Sequence, residues 1–450
     1  MTPIWLVLPD PFSSRLFFDT GVVNALRARV GDRLELVLDA GDQTALWSER
    51  VAGTRIIKPD DLMSAQGPEK LLRRIDRSLD ARIGFYPLSL RQSLRHGFNR
   101  ERMRPGHQNW FLDSSRAGSL PRWRFLDRVM TSWHYGGLRY VPRPLLERLR
   151  RERPAIALAN TQMQSIVPFV VGAHRVGLPV VGHIASWDHT VGKGIIAPGL
   201  RRYIVQNDVM RADLVRYHGI DPERIVVTGW PQTDVFHRRR PREEYERVMR
   251  GLGLEPSRPV VLVMGNTPTN APYEKQFVER LVSWWDQSGA AARFSLLFRP
   301  HPRDREWRER FAPALLREGA AVQEPSFTDL DTLAVLLQHG DVVVSNAGTI
   351  LLDALVNDRP AVCVLYDEGA PAGESWALKN VSGEHYKSLI ESDAFYRAER
   401  FDEVTAGIER ALAQPGELAA ERARATREVV GEVDGRAAER VADAVVATVR

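Results

Sequence analysis

Residues 341–356 read DVVVSNAGTILLDALV and contain the clearest structural pattern in the sequence. The valines predict a buried strand that ends at Val344, and the apolar spacing after Thr349 predicts a helix. Small residues join the two, so the chain turns from the carboxyl end of a strand directly into a helix. Parallel strands need helical crossovers, and this unit therefore predicts a parallel sheet covered by helices on both faces.

The same alternation of short apolar strands and amphipathic helices continues in both directions along the chain. Helices are predicted at residues 165–175 and 328–338. The predicted strands are residues 4–8, 34–38, 55–57, 155–159, 180–184, 203–205 and 225–227 in the first half and 260–264, 294–298, 321–323, 342–344 and 361–366 in the second. We therefore predict an α/β protein with two doubly wound, Rossmann-like domains.

A linker between the domains is predicted at residues 229–236, where Gly and Pro precede the basic stretch 237–242. The predicted N-terminal domain is residues 1–236 and the predicted C-terminal domain is residues 237–450. Residues 404–413 and 419–449 are charged and rich in alanine. They predict a helical C-terminal segment whose last helix packs back on the N-terminal domain.

The composition is that of an ordinary globular protein, with 450 residues of which 44% are hydrophobic and 26% charged. The single cysteine, Cys363, excludes a disulfide scaffold and indicates a buried thiol in a reducing compartment. The first apolar run is followed at once by Pro9 and Asp10, so a secretory signal is not expected. We expect a cytoplasmic location.

Positive charge is concentrated in one region. The formal net charge is +5, yet residues 91–153 hold fifteen arginines against five acidic residues. Tryptophans such as Trp110, Trp123 and Trp133 alternate with these arginines, and we define residues 86–150 as the basic aromatic insertion. Such a segment can contact an anionic membrane, hold a polyanionic acceptor, or form a solvated basic face. No nucleic-acid-binding motif accompanies it, so nucleic acid is not an expected partner.

Polar motifs of the second half follow predicted strands, where ligands bind in open parallel sheets. The backbone amides of the turn after Val344 are suited to an anion, and Arg299 and His301 after the neighbouring strand add a rigid cation and donor. Asp353, one turn into the helix, is placed to reach a ribose hydroxyl. The predicted donor-site residues are Gly265, Asn266, Arg299, His301, Ser345, Asn346, Gly348, Thr349 and Asp353, and His301 is also predicted to be catalytic because it can stabilise the leaving group.

The first half has one loop with more chemistry than a connection needs, residues 182–194, which follow the predicted strand 180–184. Asp188 is the leading candidate for a general base, and His183 and His189 are alternatives. The predicted acceptor-site residues are Asp10, His183, Ser186, Trp187, Asp188, His189 and Lys193. The histidines lack metal-ligand spacing, so no metal site is predicted.

Four segments together resemble glycosyltransferases of the GT-B fold, and in particular the branch that contains the CDP-glycerol glycerophosphotransferases and bacterial surface-polysaccharide transferases. They are Ser186-Trp-Asp188 with Gly192-Lys-Gly194, Val227-Thr-Gly-Trp-Pro231, Arg299-Pro-His-Pro302 and the turn Ser345 to Asp353.

The resemblance implies two domains that face across a cleft, with the nucleotide-diphosphate donor on the C-terminal domain and the acceptor on the N-terminal one. It implies that Arg299, His301 and the turn Ser345 to Thr349 hold the diphosphate, and that Asp353 holds the ribose. The glycerophosphotransferases carry a catalytic histidine after the loop tryptophan. This sequence has Asp188 there, which suits sugar transfer with a carboxylate base.

We therefore predict an inverting, metal-independent glycosyltransferase, without a cofactor, that moves a sugar from a nucleotide-diphosphate donor to a cell-surface glycan or glycolipid. The alternatives are a CDP-glycerol-type polyol-phosphate transferase, a non-hydrolysing nucleotide-sugar epimerase, and a non-catalytic glycan- or membrane-binding protein of the same fold. The expected partners are the nucleotide sugar, a glycan or lipid-linked acceptor and, through residues 91–153, the inner face of an anionic plasma membrane.

Overall fold

The computed structural model describes residues 2–38, 51–64, 68–75, 135–136, 139–192, 196–346, 348–381 and 384–449. Lys193 and most of the basic aromatic insertion lie outside these residues. The chain forms two compact units, which we call unit 1 (Met1–Asp234 with Asp434–Arg450) and unit 2 (Val235–Val433). Unit 1 ends two residues before the predicted boundary at residue 236, and it includes residues 434–450, which contain the last helix that the sequence predicts to pack on the N-terminal domain.

Unit 1 is built on a parallel sheet. Its described strands are β1 (Ile4–Leu8), β2 (Leu34–Leu38), β3 (Arg55–Ile57), β4 (Ala155–Leu158), β5 (Val180–His183), β6 (Arg202–Val205) and β7 (Ile225–Val227). They pair in the order β3-β2-β1-β4-β5-β6-β7, always in parallel. All residues of β1, β2, β4 and β5 are buried, as in sheets covered on both faces. The order reverses between β1 and β4, which makes this the switch point.

Helices complete unit 1, and one of them comes from the far end of the chain. Among the described residues they are α1 (Pro11–Asp19), α2 (Val22–Val30), α3 (Pro59–Met63), α4 (Arg143–Glu152), α5 (Val167–Val176), α6 (His189–Gly192), α7 (Asp208–His218) and α19 (Ala437–Val449), while α8 (Pro231–His237) spans the boundary between the units. Val441 and Val445 of α19 share one hydrophobic core with Ile4 and Leu26. The carboxylate of Asp234 accepts hydrogen bonds from the first amides of α19.

Unit 2 repeats the architecture. Its described strands are β8 (Val260–Met264), β9 (Ser295–Arg299), β10 (Ala320–Val322), β11 (Val342–Ser345), β12 (Ala361–Val364) and β13 (Tyr396–Ala398). They pair in parallel in the order β10-β9-β8-β11-β12-β13, with the switch point between β8 and β11. The described helices are α9 (Arg242–Gly251), α10 (Glu274–Gln287), α11 (Trp307–Arg310), α12 (Ala312–Leu315), α13 (Leu330–His339), α14 (Ile350–Val356), α15 (Trp376–Val381), α16 (Lys387–Glu391), α17 (Phe401–Ala413) and α18 (Ala419–Ala425).

The predicted fold class, two doubly wound α/β domains with a helical C-terminal segment, is confirmed. Two details were wrong. The edge strand β13 was not predicted, and residues 419–449 do not form one helix: α18 passes into a π-helical turn, Thr426–Val430, and Gly431 then adopts a φ of 96° that ends it. Within the described ranges, every helix is too short or too polar to span a lipid bilayer.

Candidate functional site

The switch point of unit 1 is occupied by polar side chains that bind one another. Asp10 follows β1 and caps α1, because its carboxylate accepts hydrogen bonds from the Ser13 amide at 3.0 Å and the Ser13 hydroxyl at 2.5 Å. Asn160 follows β4 and donates its side-chain amide to the same carboxylate at 3.3 Å. All three residues are buried. Asp10 therefore serves the fold here, and its predicted contact with an acceptor stays a prediction.

His183 ends β5 and is 2% exposed. Its Nδ1 lies 3.2 Å from the carbonyl oxygen of Ala159, so the neutral ring carries its proton on Nδ1. Phe17 packs edge-on against the ring, with 5.4 Å between the centroids. Burial, with a smaller contribution from nearby His189, lowers the pKa of His183 to about 4, although the hydrogen bond to Ala159 opposes the change. A buried ring with this pKa is neutral at physiological pH and out of reach of an acceptor hydroxyl.

Asp188 and His189 lie side by side in the loop after β5 and remain partly accessible. Oδ1 of Asp188 accepts a hydrogen bond from the Ser186 hydroxyl at 2.6 Å and lies 3.9 Å from Nε2 of His189. The two side chains are 13% and 11% exposed. Trp187 between Ser186 and Asp188 is buried and anchors the loop. A carboxylate beside an imidazole is chemically able to accept a proton from a hydroxyl group.

Side chains from neighbouring elements fix the backbone of this loop. The Thr190 hydroxyl donates to the carboxylate of Asp213 on α7 at 2.7 Å. Nε2 of His218, at the end of the same helix, lies 2.8 Å from the carbonyl oxygen of Thr190. Gln162, after β4, donates to the carbonyl oxygen of His189 at 3.4 Å. These contacts were not predicted. Gln162 follows a strand end, so the expectation that ligand-binding residues follow strands, which pointed to Asp188, would also have pointed to Gln162.

In unit 2, Arg299 is the last residue of β9 and His301 follows the strand, but the arginine is engaged within the protein. Its two terminal nitrogens donate to Gln323 at 2.5 Å and to Asp329 at 2.6 Å. Nδ1 of His301 accepts the Arg303 amide at 3.0 Å, which places the proton of the neutral ring on Nε2. His301 is therefore a hydrogen-bond donor without needing a positive charge. The phosphate roles of both residues stay predictions.

Five more predicted donor-site residues lie at the end of β11, in the turn that follows it and in α14. Ser345 is buried and its hydroxyl donates to the Met264 carbonyl oxygen across the switch point at 3.2 Å. Gly348 has a φ of 132°, a conformation that favours glycine, and Thr349 precedes α14. Asp353 is 2% exposed within α14. Its predicted contact with a ribose stays a prediction and requires access that this conformation does not give.

Asn346 connects this turn to the rest of the site. Its side-chain nitrogen donates to the Val364 carbonyl oxygen at 2.6 Å, and its side-chain oxygen accepts from Asn380 at 2.9 Å. Asn380, on α15, also donates to the Asn270 carbonyl oxygen at 2.7 Å. It thereby links the turn after β11 to the loop after β8. Nothing in the sequence around Asn380 distinguished it from a surface residue of a helix.

A buried cluster of charged residues joins the loops after β8 and β9. Arg310 on α11 pairs with Glu274 of α10 at 2.7 Å and with Asp304. The amide of Asn266, predicted for the donor site, donates to Glu274 at 2.8 Å. Burial, with a smaller contribution from the nearby Asp304, raises the pKa of Glu274 to about 7, although Arg310 and the Asn266 amide oppose the change. Asp304 and Arg310 were missed because Arg303 to Arg310 has the composition of a solvated charged segment, and Glu274 was not predicted either.

A pocket opens at the switch point of unit 2. Three of its lining residues are aromatic (Tyr273, Phe277 and Tyr366) and three are acidic (Glu274, Asp367 and Glu368), with Ser345 and Asn346 at one side. No arginine or lysine is among the described residues that line it. Glu274 pairs with Arg310, Glu368 accepts two hydrogen bonds from Arg280, and Asp367 accepts the Ala377 amide. The remaining lone pairs of these carboxylates can accept N–H or O–H bonds from a bound group.

Two other predicted features have limited structural description. Lys193 and residues 91–134 lie outside the described residues, so the basic aromatic insertion is open to test. In its described part, Arg143 pairs with Glu147 and Arg148 with Glu152 on α4. Among the described residues, no group of three or more His, Cys, Asp and Glu side chains is arranged to hold a metal ion.

Comparison with known proteins identifies a related family. A family model described as CDP-glycerol:poly(glycerophosphate) glycerophosphotransferase matches residues 200–447, which is more than half of the chain. The match includes Arg299, His301 and the turn after β11 but begins after the loop that contains Asp188. No curated protein matches the sequence.

Solved structures share the fold at low identity. The UDP-GlcNAc 2-epimerase of Methanocaldococcus jannaschii is 10% identical with a TM-score of 0.57, and the match covers 99% of this chain and 100% of that one. A putative UDP-N-acetylglucosamine 2-epimerase of Listeria monocytogenes is 10% identical with a TM-score of 0.58, covering 99% and 96%. A glycosyltransferase of Rickettsia africae is 10% identical with a TM-score of 0.53, covering 99% and 98%. These likenesses show a GT-B-type fold and nothing about the reaction.

Proposed function

The chain belongs to the CDP-glycerol:poly(glycerophosphate) glycerophosphotransferase family, and from this premise we propose that it transfers a polyol phosphate from a CDP-linked donor to a hydroxyl group of an anionic acceptor. In this reaction an acceptor oxygen forms a bond to the phosphorus that carries the polyol. The pyrophosphate bond to that phosphorus breaks, and CMP leaves. The acceptor hydroxyl loses its proton to a base.

The observation that carries the proposal is the acidic, aromatic pocket at the switch point of unit 2. Cytosine presents an exocyclic amine, which donates hydrogen bonds to carboxylates, whereas uracil presents a carbonyl oxygen at the same place. The aromatic side chains Tyr273, Phe277 and Tyr366 offer faces and edges for a base. A pocket lined by Glu274, Asp367 and Glu368 therefore favours cytosine over uracil and keeps the phosphates outside.

The phosphates would then lie at the rim of the pocket, beside the turn after β11. Ser345 and Asn346 line the pocket, and Gly348 and Thr349 continue the turn beyond it. The Nε2–H of His301 is a suitable donor for the oxygen of the leaving CMP. No metal is part of this proposal, and metal independence remains to be tested with a chelator.

Asp188, assisted by His189, would accept the proton of the acceptor hydroxyl. Both side chains are partly accessible and lie 3.9 Å apart, which allows the imidazole to stabilise or share the charge of the carboxylate. The proposed acceptor is anionic because residues 91–153 are strongly basic. A membrane with anionic lipids is the alternative partner of that segment.

A second candidate function is sugar transfer from a nucleotide-diphosphate sugar, and Asp188 favours it. A carboxylate is a suitable base for an acceptor that attacks an anomeric carbon, and the leaving group is then a nucleoside diphosphate. The leaving group therefore separates the two candidates. A nucleotide-sugar epimerase would change the sugar nucleotide without an acceptor, and a non-catalytic protein would release no nucleotide.

The first experiment is a thermal-shift panel with CDP, CMP, UDP, GDP, TDP and ADP on the wild-type chain and on Glu368→Gln. We expect CDP to raise Tm most, and we expect the variant to discriminate less between CDP and UDP. Glu409→Gln is the matched control, because Glu409 pairs with Arg293 as Glu368 pairs with Arg280, but does not line the pocket. A shift with UDP, GDP or TDP instead would favour sugar transfer.

The second experiment measures products. The chain is incubated with CDP-glycerol or UDP-GlcNAc and a synthetic glycerol-phosphate oligomer, with and without a chelator, and released nucleotides are separated. Acceptor-dependent CMP supports polyol-phosphate transfer, and acceptor-dependent UDP supports sugar transfer. Absence of nucleotide binding and of both products would contradict the proposed function.

A further inference from the structure

We propose that Arg310 is a positioning residue of the donor site, whose guanidinium holds together the two loops that follow β8 and β9. The proposal rests on the proposed function for its link to a donor. Its link to the loops rests on geometry alone, so the two parts can fail separately.

The contacts of Arg310 divide between the two loops. Nη1 donates to the Asn266 carbonyl oxygen at 3.0 Å, and Nη2 donates to the Ala271 carbonyl oxygen at 2.9 Å. These bonds fix both ends of the loop after β8. Nη1 also pairs with Asp304, which belongs to the loop after β9. One planar guanidinium thus binds both loops at once. A lysine ammonium lacks this forked arrangement of donors and could not replace it.

Asp304 transmits this restraint to His301. The Asp304 amide donates to the His301 carbonyl oxygen at 2.8 Å, and its carboxylate accepts the Glu306 amide at 2.9 Å. The side chain of Asp304 is fully buried and that of Arg310 is 7% exposed. His301 therefore lies on a short turn whose conformation is stabilised by the buried ion pair of Asp304 and Arg310.

Glu274 completes the link to the pocket. It pairs with Nη2 of Arg310 at 2.7 Å, accepts the Asn266 amide at 2.8 Å, and lines the pocket. The loops are packed closely: a Cβ added to Gly265 would lie 3.3 Å from Cα of Pro300 and 2.8 Å from the Phe311 ring. A change in the Arg310 contacts would therefore move the pocket wall and His301 together.

The test compares Arg310→Lys with Arg422→Lys in the full chain. Arg422 is the matched control, since it is 1% exposed and binds the Asp358 carboxylate at 2.7 Å and the Pro415 carbonyl oxygen at 2.9 Å. Asp358 lies at the opposite, amino edge of the sheet, before β12. Both substitutions keep a positive charge and lose the fork, so both should lower Tm.

For each variant and the wild type, the test measures hydrogen exchange in peptides that cover residues 265–273 and 299–306, and it measures the Kd for CDP. We expect Arg310→Lys to raise exchange in both peptides and to weaken CDP binding at least tenfold, while Arg422→Lys leaves both unchanged. Asp304→Asn is the milder variant if Arg310→Lys does not fold, and it should raise exchange only in 299–306 and weaken CDP binding less.

Unchanged exchange in both peptides of Arg310→Lys would overturn the positioning role, whatever nucleotide the chain binds. Raised exchange with an unchanged Kd for CDP would overturn the link to the donor. If the wild-type chain binds neither CDP nor UDP, the proposed function fails and the link to the donor fails with it, while the exchange data still decide the loop contacts.

Discussion

In unit 1 the crevice at the switch point is filled by the protein's own side chains, whereas in unit 2 the equivalent crevice opens into a pocket. Asp10 and Asn160 bind each other between β1 and β4, and Asp10 also caps α1. Between β8 and β11 the small Ser345 borders a pocket that aromatic and acidic side chains surround. Two sheets with the same kind of switch point therefore need not both bind a ligand there. The residues just after the strands determine whether the crevice is filled or open.

The two units also bury ionisable groups with opposite consequences. Unit 1 holds His183 in its neutral form without a proton on Nε2, and unit 2 holds Glu274 with a raised proton affinity. In unit 1 the partly accessible Asp188 and His189 lie in the loop after β5. The described pocket at a switch point thus belongs to unit 2, and the carboxylate–imidazole pair of Asp188 and His189 belongs to unit 1.

The largest expected effect separates the two units by activity. Asp188→Asn should lower kcat by about 10²- to 10⁴-fold, because the proposed base is lost, and should leave the Kd for CDP unchanged. Release of CMP from CDP-glycerol measures the first and thermal shift the second. Ser186→Ala, which removes only the 2.6 Å bond to Asp188, should cost much less. Full turnover in Asp188→Asn would transfer the role of base to His189.

A smaller effect contrasts the two switch points by stability. Asp10→Ala should lower the free energy of unfolding by about 2 to 4 kcal/mol, because α1 loses its cap and the buried Ser13 and Asn160 lose their partner. Ser345→Ala, which removes one bond to a carbonyl oxygen, should cost about 1 kcal/mol. Urea unfolding measures both. An Asp10→Ala protein of wild-type stability that has lost transfer would place Asp10 in the active site.

The pH dependence of stability should have opposite signs in the two units. For His183 the folded pKa of about 4 lies below the ordinary 6.5, so its contribution is present above pH 6.5 and is lost as pH falls toward 4. For Glu274 the folded pKa of about 7 lies above the ordinary 4.5, so its contribution is present below pH 4.5 and is lost as pH rises through 7.

Each contribution is expected to be about 1 to 3 kcal/mol, since one pKa unit corresponds to about 1.4 kcal/mol. Relative to His183→Asn, the wild type should lose stability between pH 6.5 and 4.5. Relative to Glu274→Gln, it should lose stability between pH 5 and 7.5. Urea unfolding across this range gives both differences. Two differences of the same sign, or two flat ones, would contradict the contrast between the units.

The smallest expected effect concerns the close packing of the loops after β8 and β9 in unit 2. Gly265→Ala should cost about 1 to 2 kcal/mol, because the new methyl group would crowd the Phe311 ring and Pro300. Gly251→Ala is the control: no atom lies within 4 Å of its added Cβ, so it should be neutral or slightly stabilising. Equal stability of the two variants would show that the loops after β8 and β9 are not closely packed in solution.

Strands and sheet edges were predictable because their signals are local. Apolar runs that begin after Pro259 or Pro360 fix both the strand and its carboxyl end, and the residues that follow must lie at the edge. β13 was missed because Tyr396–Ala398 is short and includes Arg397, so it lacks an apolar run. The break after Val430 was missed because alanine-rich charged sequence predicts helix on both sides of Gly431.

The partners of the site residues were not predictable, because they come from distant parts of the chain. Arg299 looks like a free phosphate ligand in sequence, yet Gln323 and Asp329 bind it across 24 and 30 residues. The sequence around Arg310 predicts a surface residue, yet Arg310 is buried and pairs with Glu274 and Asp304. Periodicity predicts whether a side chain is buried or exposed, but it does not predict which side chain will bind it.

The position of α19 in unit 1 has a consequence for the order of events during translation. Residues 437–449 complete the hydrophobic core around Ile4 and Leu26, and Asp234 binds the first amides of α19. The ribosome makes these residues only after all of unit 2. Unit 2 can therefore fold as it emerges from the ribosome, while the first 234 residues keep an exposed apolar surface until α19 is made. We expect a nascent-chain chaperone to bind that surface.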